Sequence, residues 1–186
     1  WDRTVSIVGT LFPKDEATIA AQVEGTVEKT LVDFGDRVKS EQELAFVDTA
    51  SYAALLEQAT GNRAKAEASL TNALQNFERV QRLKAGGIAS DADFDQAKAQ
   101  LDQATADVKA TTGAEGVARL NVERSRVRSP FDGAISQRYV GRGDYAKAGS
   151  QLFSIVNDGV LKFIFAVPER YGSFVQKQLP VSFNVD

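Results

Sequence analysis

The chain of 186 residues contains no cysteine and no histidine. These residue types supply the usual zinc ligands of proteins and the thiolate nucleophile or imidazole base of many enzymes. Their absence excludes a Cys/His zinc site, a thiol nucleophile and a histidine general base. Methionine is absent as well, which counts against a site for soft ions such as copper(I). Carboxylate-based chemistry stays possible on composition alone.

Long apolar runs and clusters of positive charge are also missing. No stretch of about 18 apolar residues, the length that crosses a bilayer, occurs in the chain. The 22 Lys and Arg residues are dispersed among 25 Asp and Glu residues, which gives no support for nucleic-acid binding. The chain begins at Trp1 without a signal peptide and stops at Asp186 within a strand-like alternation. We therefore expect an internal piece of a longer protein.

The chain does contain a repeat that is interrupted by a long insert. The segment that opens at Gly25 returns at Gly133, a constant offset of 108 positions (133 minus 25) without a gap. Six positions from 25 to 48 are identical in the two copies. They are Gly25, Val32, Gly35, Asp36, Lys39 and Leu44, with their mates Gly133, Val140, Gly143, Asp144, Lys147 and Leu152. Two copies of one small β unit predict a split domain from whose middle something projects.

The insert has the periodicity of two helices. From about Thr49 onwards, seam residues recur in alternating steps of three and four, the rhythm of a coiled coil. The first seam comprises Leu56, Ala59, Arg63, Ala66, Leu70, Ala73, Phe77 and Val80. The second comprises Phe94, Ala97, Leu101, Ala104, Val108, Thr111, Glu115 and Ala118. They mirror each other about Gly87, which predicts an antiparallel hairpin roughly 50 Å long with its tip at Gly86-Gly87.

Two glycines interrupt the predicted helices at mirror positions, Gly61 and Gly113. Glycine in a helix interior costs about 1 kcal/mol relative to alanine. Either a soft point where the hairpin bends or a close approach of two rigid helices would explain the pair, and the sequence leaves both open. Outside the repeat, residues 1–12 and 161–167 alternate like strands, a short helix is expected from Pro168, and another strand is expected at 181–186.

Two half-motifs around an antiparallel hairpin, with strands outside both, resemble the periplasmic adaptor proteins, or membrane fusion proteins, of the hemolysin-secretion D family. The resemblance covers essentially the whole chain and is nearest to adaptors of tripartite efflux pumps of the resistance-nodulation-division type. It implies an elongated α+β fold with three parts. They are a lipoyl-like (barrel-sandwich hybrid) domain at 18–48 and 127–157, a helical hairpin at 49–126 with its tip near 85–90, and a partial β-barrel domain at 1–17 and 158–186.

A shorter match lies at the tip. Adaptors that dock a TolC-like outer-membrane channel carry an arginine, a leucine four residues on and a serine seven residues further, here Arg79, Leu83 and Ser90. The resemblance implies that Leu83 lies in a groove between channel helices and that Arg79 and Ser90 hydrogen-bond to the channel. Each residue has an ordinary alternative. Arg79 is also explained as a solvated helix charge, Leu83 as the end of the seam, and Ser90 as a helix N-cap.

The resemblance implies a non-enzymatic adaptor with no catalytic residue, cofactor or metal site. Its partners would be an inner-membrane transporter, a TolC-like channel and further copies of itself in a ring of six, with no nucleic acid involved. The ring would form part of a sealed conduit. We expect it in the periplasm of a Gram-negative bacterium, anchored to the inner membrane by a segment outside this chain.

Three alternatives stay open. The first is an adaptor of an ATP-driven exporter or of a type I secretion system. The second is a lipoyl or biotinyl carrier, whose modified lysine lies where the two halves join; here that joint reads Val47-Asp48-Thr49-Ala50 and has no lysine. The third is a purely structural coiled-coil scaffold. A phosphate loop at Gly141-Arg142-Gly143 is disfavoured, because position 146 is alanine and the segment mirrors the turn at Phe34-Gly35.

Overall fold

The computed structural model describes residues 8–157 and 159–167. Those residues form β1 (Gly9–Pro13), β2 (Glu16–Ala20), β3 (Gly25–Thr30), β4 (Arg37–Val38), β5 (Glu43–Val47), α1 (Thr49–Ala85), α2 (Asp91–Arg124), β6 (Arg126–Arg128), β7 (Gly133–Arg138), β8 (Tyr145–Ala146), β9 (Gln151–Val156) and β10 (Leu161–Phe165). The α+β prediction is confirmed. The start of the strand expected at 1–12, the helix expected from Pro168 and the strand expected at 181–186 lie outside the described residues.

Eight of the strands form two antiparallel sheets around one core. Their orders are β2-β9-β7-β4 and β6-β5-β3-β8, whereas β1 pairs with β10 in a separate two-stranded sheet. Side chains from both repeat copies fill the core between the two sheets, among them Val27, Leu44, Val47, Ile135, Leu152, Phe153 and Ile155. The two copies therefore share one apolar core and form one domain.

The two copies exchange strands across an approximate internal two-fold axis. At the offset of the repeat, β3 corresponds to β7 and β4 corresponds to β8. Accordingly β3 pairs with β8, and β4 pairs with β7. The turns repeat this exchange, because the Gly35 amide donates to the Ile135 carbonyl at 2.9 Å and the Gly143 amide donates to the Val27 carbonyl at 2.8 Å. Each copy thus completes the sheet of the other.

The identical Gly-Asp pairs have a local reason. Gly35 and Gly143 have φ angles of 86° and 92°, in the left-handed region that side chains with a Cβ disfavour. The Asp36 carboxylate accepts a hydrogen bond from the backbone amide three residues earlier at 2.7 Å, and the Asp144 carboxylate does the same at 2.7 Å. The two turns are built in the same way, which accounts for these sequence identities.

The repeat extends further toward the N-terminus than sequence identity indicates. The Ala21 amide donates to the Ser150 carbonyl at 2.8 Å, and the Ser129 amide donates to the Gln42 carbonyl at 3.0 Å. These two bonds are equivalent, because Ala21 corresponds to Ser129 and Gln42 corresponds to Ser150 at the offset of 108 residues. No residue from 16 to 24 is identical to its mate. In residues 16–24 and their mates, the two copies therefore share their backbone pairing but no identical side chains, because many side chains are compatible with the same backbone pairing.

The helices α1 and α2 form the predicted antiparallel hairpin. Every predicted seam residue of α1 is half-buried, and three seam residues of α2, Ala97, Ala104 and Glu115, are buried. The rings of Phe77 and Phe94 lie 5.3 Å apart between centroids. The mirror register is therefore confirmed to within about one helical turn.

The helical glycines do not mark a close approach of the two helices. A Cβ atom added at Gly61 or at Gly113 would have no heavy atom within 4 Å. Both glycines thus face open space, and the interpretation of tight helix packing at these positions is wrong. A soft point at this height of the hairpin stays a prediction.

Both helices are rooted in neighbouring strands of one sheet. β5 runs into α1 and α2 runs into β6, and the Val47 amide donates to the Ser125 carbonyl at 2.8 Å between the two roots. The Thr49 hydroxyl donates to the Glu28 carboxylate at 2.8 Å and so ties the first turn of α1 to β3. The hairpin therefore leaves the β domain through a hydrogen-bonded base.

Candidate functional site

The candidate site is the tip of the hairpin, where α1 ends in a Schellman motif. The Ile88 amide donates to the Leu83 carbonyl and the Gly87 amide donates to the Lys84 carbonyl, both at 2.9 Å. Gly87 has a φ of 73°, the left-handed conformation that this motif requires of its glycine. The two hydrogen bonds therefore hold the backbone of the tip in one shape, which Gly87 can adopt without strain.

Ser90 begins α2 as its N-cap. Its hydroxyl accepts from the Asp93 amide at 3.2 Å, and the Asp93 carboxylate accepts from the Ser90 amide at 3.1 Å, which makes a capping box. The Ser90 hydroxyl also donates to the Asp93 carboxylate at 2.6 Å. These bonds from the side chain and backbone of Ser90 hold the pKa of Asp93 below its usual value. The capping role is confirmed, and Ser90 is exposed to a partner as well.

Leu83 and Ile88 form what we call the apolar tip patch. Leu83 is 38% exposed and Ile88 is 76% exposed. A Cβ atom at Gly86 would lie 3.9 Å from Cδ1 of Ile88, so the isoleucine folds back over the turn. Exposed apolar side chains at a projecting tip are a common sign of a contact surface.

Ile88 was missed by the sequence reasoning. The signal for it was present, because the residue after the glycine of a Schellman motif is often apolar and contacts the end of the helix. Leu83, in contrast, does not finish the seam. Position 84 continues the seam, and the Lys84 ammonium lies 4.2 Å from the Phe94 ring centroid and 2.9 Å from the Asp91 carboxylate.

Arg79 lies one helical turn before Leu83 on α1 and is exposed. Within the part of the chain that the structure describes, its guanidinium makes no ion pair or side-chain hydrogen bond. Lys84 is engaged at the tip whereas Arg79 is available to a partner. The structure thus brings Arg79, Leu83 and Ser90 to the same end of the hairpin, and their docking role stays a prediction.

A buried ionic cluster lies in the lower part of the hairpin. Glu115 is 5% exposed, and its carboxylate lies 3.0 Å from Nε of Arg63 and 3.0 Å from Nη2 of Arg119. Exact reflection about Gly87 pairs Arg63 with Thr111, but the long arginine side chain reaches one turn further. A buried carboxylate needs such partners, because desolvation of an unpaired charge costs several kcal/mol.

Two kinds of feature are absent from residues 8–157 and 159–167. No group of three or more acidic side chains there is arranged to hold a metal ion. No helix in those ranges combines the length and the apolar character that a membrane span needs.

Comparison with known proteins identifies sequence relatives. Residues 15–158 match the family model described as "RND MFP, barrel-sandwich hybrid domain". The Multidrug resistance protein MdtA of Pantoea ananatis is 30% identical over 165 residues, which cover 88% of this chain and 40% of that protein. The chain therefore spans less than half the length of this relative.

Solved structures share the fold. The membrane fusion protein Spr0693 from Streptococcus pneumoniae R6 superposes with a TM-score of 0.66 at 18% identity, over 83% of this chain and 64% of that one. ZneB from Cupriavidus metallidurans gives a TM-score of 0.61 at 22% identity, over 91% of this chain and 75% of that one. With the family match, these likenesses confirm the predicted barrel-sandwich hybrid with an inserted helical hairpin.

Proposed function

The chain belongs to the RND-type membrane fusion proteins, and on this premise we propose that it is the adaptor subunit of a tripartite efflux pump. It links an inner-membrane transporter of the resistance-nodulation-division type to a TolC-like outer-membrane channel and forms part of the sealed conduit between them. It acts by assembly and not by catalysis. The matching family model is described as RND, which favours this transporter class over an ATP-driven exporter or a type I secretion system, and the relative in Pantoea ananatis is named for multidrug resistance.

The apolar tip patch carries this proposal. Leu83 and Ile88 are exposed on a backbone that the Schellman motif holds in one shape. They lie at the far end of α1, a helix of 37 residues and therefore about 55 Å long. The patch packs into a groove of the channel, and Arg79 and Ser90 hydrogen-bond beside it. A purely structural scaffold would have no need of exposed apolar side chains at this end.

Copies of the chain assemble into a ring of six, with the hairpins directed at the channel. One tip contact buries little surface, but six tethered contacts act together because each raises the effective concentration of the next. The ring stands in the periplasm, and a segment outside this chain anchors it to the inner membrane. Residues 1–17 and 158–186 contribute to a β-barrel domain toward the transporter, which is consistent with the separate β1–β10 sheet.

A lipoyl or biotinyl carrier has little support. The joint between the two halves runs directly from β5 through Asp48 into α1, and no lysine lies there. Mass spectrometry of the protein from its host tests this alternative, since a lipoyl or biotinyl mass on any lysine would restore it.

The docking proposal is tested by Leu83→Asp in a strain whose drug resistance depends on this protein. The charged side chain is expected to abolish resistance, because it cannot enter an apolar groove, while helical content by circular dichroism stays unchanged. Leu74→Asp is the matched control, since Leu74 lies on the same helix away from the tip and is 43% exposed. Resistance that survives Leu83→Asp, or is lost equally with Leu74→Asp, contradicts a docking role for the tip.

A further inference from the structure

The two equivalent turns of the β domain present different side chains at the same position. Phe34 precedes Gly35 in the first turn, and Arg142 precedes Gly143 in the second. Phe34 is 73% exposed, and Arg142 is exposed as well. An aromatic face and a guanidinium attract each other, so the internal two-fold axis relates two chemically complementary side chains.

Phe34 forms one wall of a shallow surface cleft, which we call the aromatic cleft. The other wall consists of residues 136–139, and among them Tyr139 is 48% exposed. The Tyr139 hydroxyl donates to the Gln137 side chain, which holds the second ring in place. The aromatic cleft therefore offers two exposed rings to a neighbouring molecule.

The cation inside the aromatic cleft is already paired. Nε of Arg138 lies 3.0 Å from the Asp33 carboxylate, and its Nη1 donates to the Val140 carbonyl at 3.0 Å. The Phe34 amide donates to the Asp33 carboxylate at 2.7 Å and fixes the backbone beside it. The charge of Arg138 is therefore paired within the chain, and these bonds hold the cleft in shape before any partner arrives.

Arg142 has no such partner. Among residues 8–157 and 159–167, no carboxylate or carbonyl pairs with its guanidinium. Its backbone is nevertheless fixed, since the Gly141 amide donates to the Asp144 carboxylate at 2.7 Å and Gly143 has a φ of 92°. A stiff turn that presents an unpaired, exposed guanidinium is suited to insertion into a cleft of another molecule.

The two turns lie on either side of the internal axis. Arg138 touches both, because its Nε contacts Asp33 and its Nη1 is 3.9 Å from the position of a Cβ at Gly141. Asp33 and Gly141 occupy the same position in the two copies of the repeat, and both lie beside Arg138. The internal two-fold axis therefore passes between them. Phe34 and Arg142 follow these mates by one residue and therefore lie on opposite sides of the axis. A contact between Arg142 of one copy and the aromatic cleft of another joins two different patches, and a contact of this kind can close into a ring.

We propose that Arg142 of one copy inserts into the aromatic cleft of the next copy, where it lies over the rings of Phe34 and Tyr139. A second copy of this chain is thus the occupant of the cleft. This inference rests on the ring assembly proposed above and assigns the residues of its neighbour contact in the β domain.

Sedimentation of the purified chain tests the contact first. Phe34→Ala and Arg142→Ala are each expected to weaken self-association about tenfold, as expected for the loss of a cation–π contact. The double variant should be no weaker than either single variant, because both changes remove one interaction. Lys147→Ala is the matched control, since Lys147 is an exposed cation just beyond the same turn. Fully additive effects, or an equal effect of Lys147→Ala, would overturn the assignment.

Photo-cross-linking tests the geometry without loss of the aromatic ring. A photoreactive phenylalanine analogue at position 34 should attach to the peptide that contains Arg142 of another copy, in products larger than a dimer. Products that stop at the dimer would overturn the head-to-tail arrangement, and so would a wild-type chain that stays monomeric. Efflux that survives both alanine variants, with the ring intact, would refute this contact alone. Efflux that survives Leu83→Asp would refute the docking proposal instead.

Discussion

Ser90 shows how one side chain at the tip can have two roles. It forms the capping box that begins α2, and it remains exposed beside the apolar tip patch. Stability and docking can be separated here because asparagine is as good an N-cap as serine. Ser90→Ala is expected to destabilise the chain by about 1 kcal/mol, whereas Ser90→Asn should leave stability unchanged. Thermal unfolding measures both. Lost efflux in a stable Ser90→Asn variant would indicate docking, and normal efflux would leave Ser90 a cap only.

The stability of the tip is expected to depend on pH through Asp93. The hydrogen bonds from Ser90 lower its pKa in the folded chain. The stabilisation they provide is therefore fully present above the pKa of an ordinary aspartate and is lost as the pH falls through the lower folded value. Asp93→Asn should flatten this part of the dependence of stability on pH. Denaturant unfolding across the acidic range measures it, with Asp95→Asn as the exposed control on the same turn.

At the scale of the element, the hairpin was predictable because its seam repeats many times. A rhythm sustained over sixteen positions tolerates polar members such as Arg63 and Glu115 and still specifies the paired faces. The cross-helix ion pair was not predictable, because a long side chain can reach a turn beyond the position that the reflection assigns. Ile88 was missed because its contact with the end of the helix can be expected only once the Schellman motif of the turn has been recognised.

The buried ionic cluster should respond asymmetrically to substitution. Arg63→Met removes one of two partners of the buried Glu115 carboxylate, so we expect a loss of about 1–3 kcal/mol in the free energy of unfolding. Adding Glu115→Leu removes the carboxylate, which then has only Arg119 as a partner, and fills the seam with an apolar side chain, which should restore most of that loss. Urea denaturation of the single and double variants measures this. A double variant less stable than Arg63→Met would contradict the explanation.

At the scale of the whole molecule, the split domain was predictable from the repeated turn residues together with the apolar residues between them. The Gly-Asp pairs at Gly35 and Gly143 are held identical by a positive φ and a side-chain hydrogen bond. The equivalence of β2 and β6 within the repeat was not predictable, because backbone pairing does not require particular side chains. Arg79, Leu83 and Ser90, which suggested a partner, lie at the tip as expected. The partner's own binding surface could not be predicted, because the sequence of one chain shows only the side chains that this chain exposes.

The interlocked copies should fold only together. Each copy supplies a strand to the other's sheet, and both supply the core. A chain cut between Gly86 and Gly87 leaves every such pairing intact. We expect fragments 1–86 and 87–186 to co-purify as a folded heterodimer when expressed together and to be unfolded when expressed separately. Circular dichroism and gel filtration measure this, and a fragment that folds alone would contradict the interdependence.

The common root of the helices has a mechanical consequence. Since β5 and β6 are hydrogen-bonded neighbours, a sideways push on the distant tip enters the β domain through a single sheet. The hairpin is then a long arm that pivots at its base, where Val47 and Ser125 are hydrogen-bonded. A small rotation at this base moves the tip through a large distance. We therefore expect a tilt of the hairpin to turn this sheet as a whole, without the two helices sliding past each other.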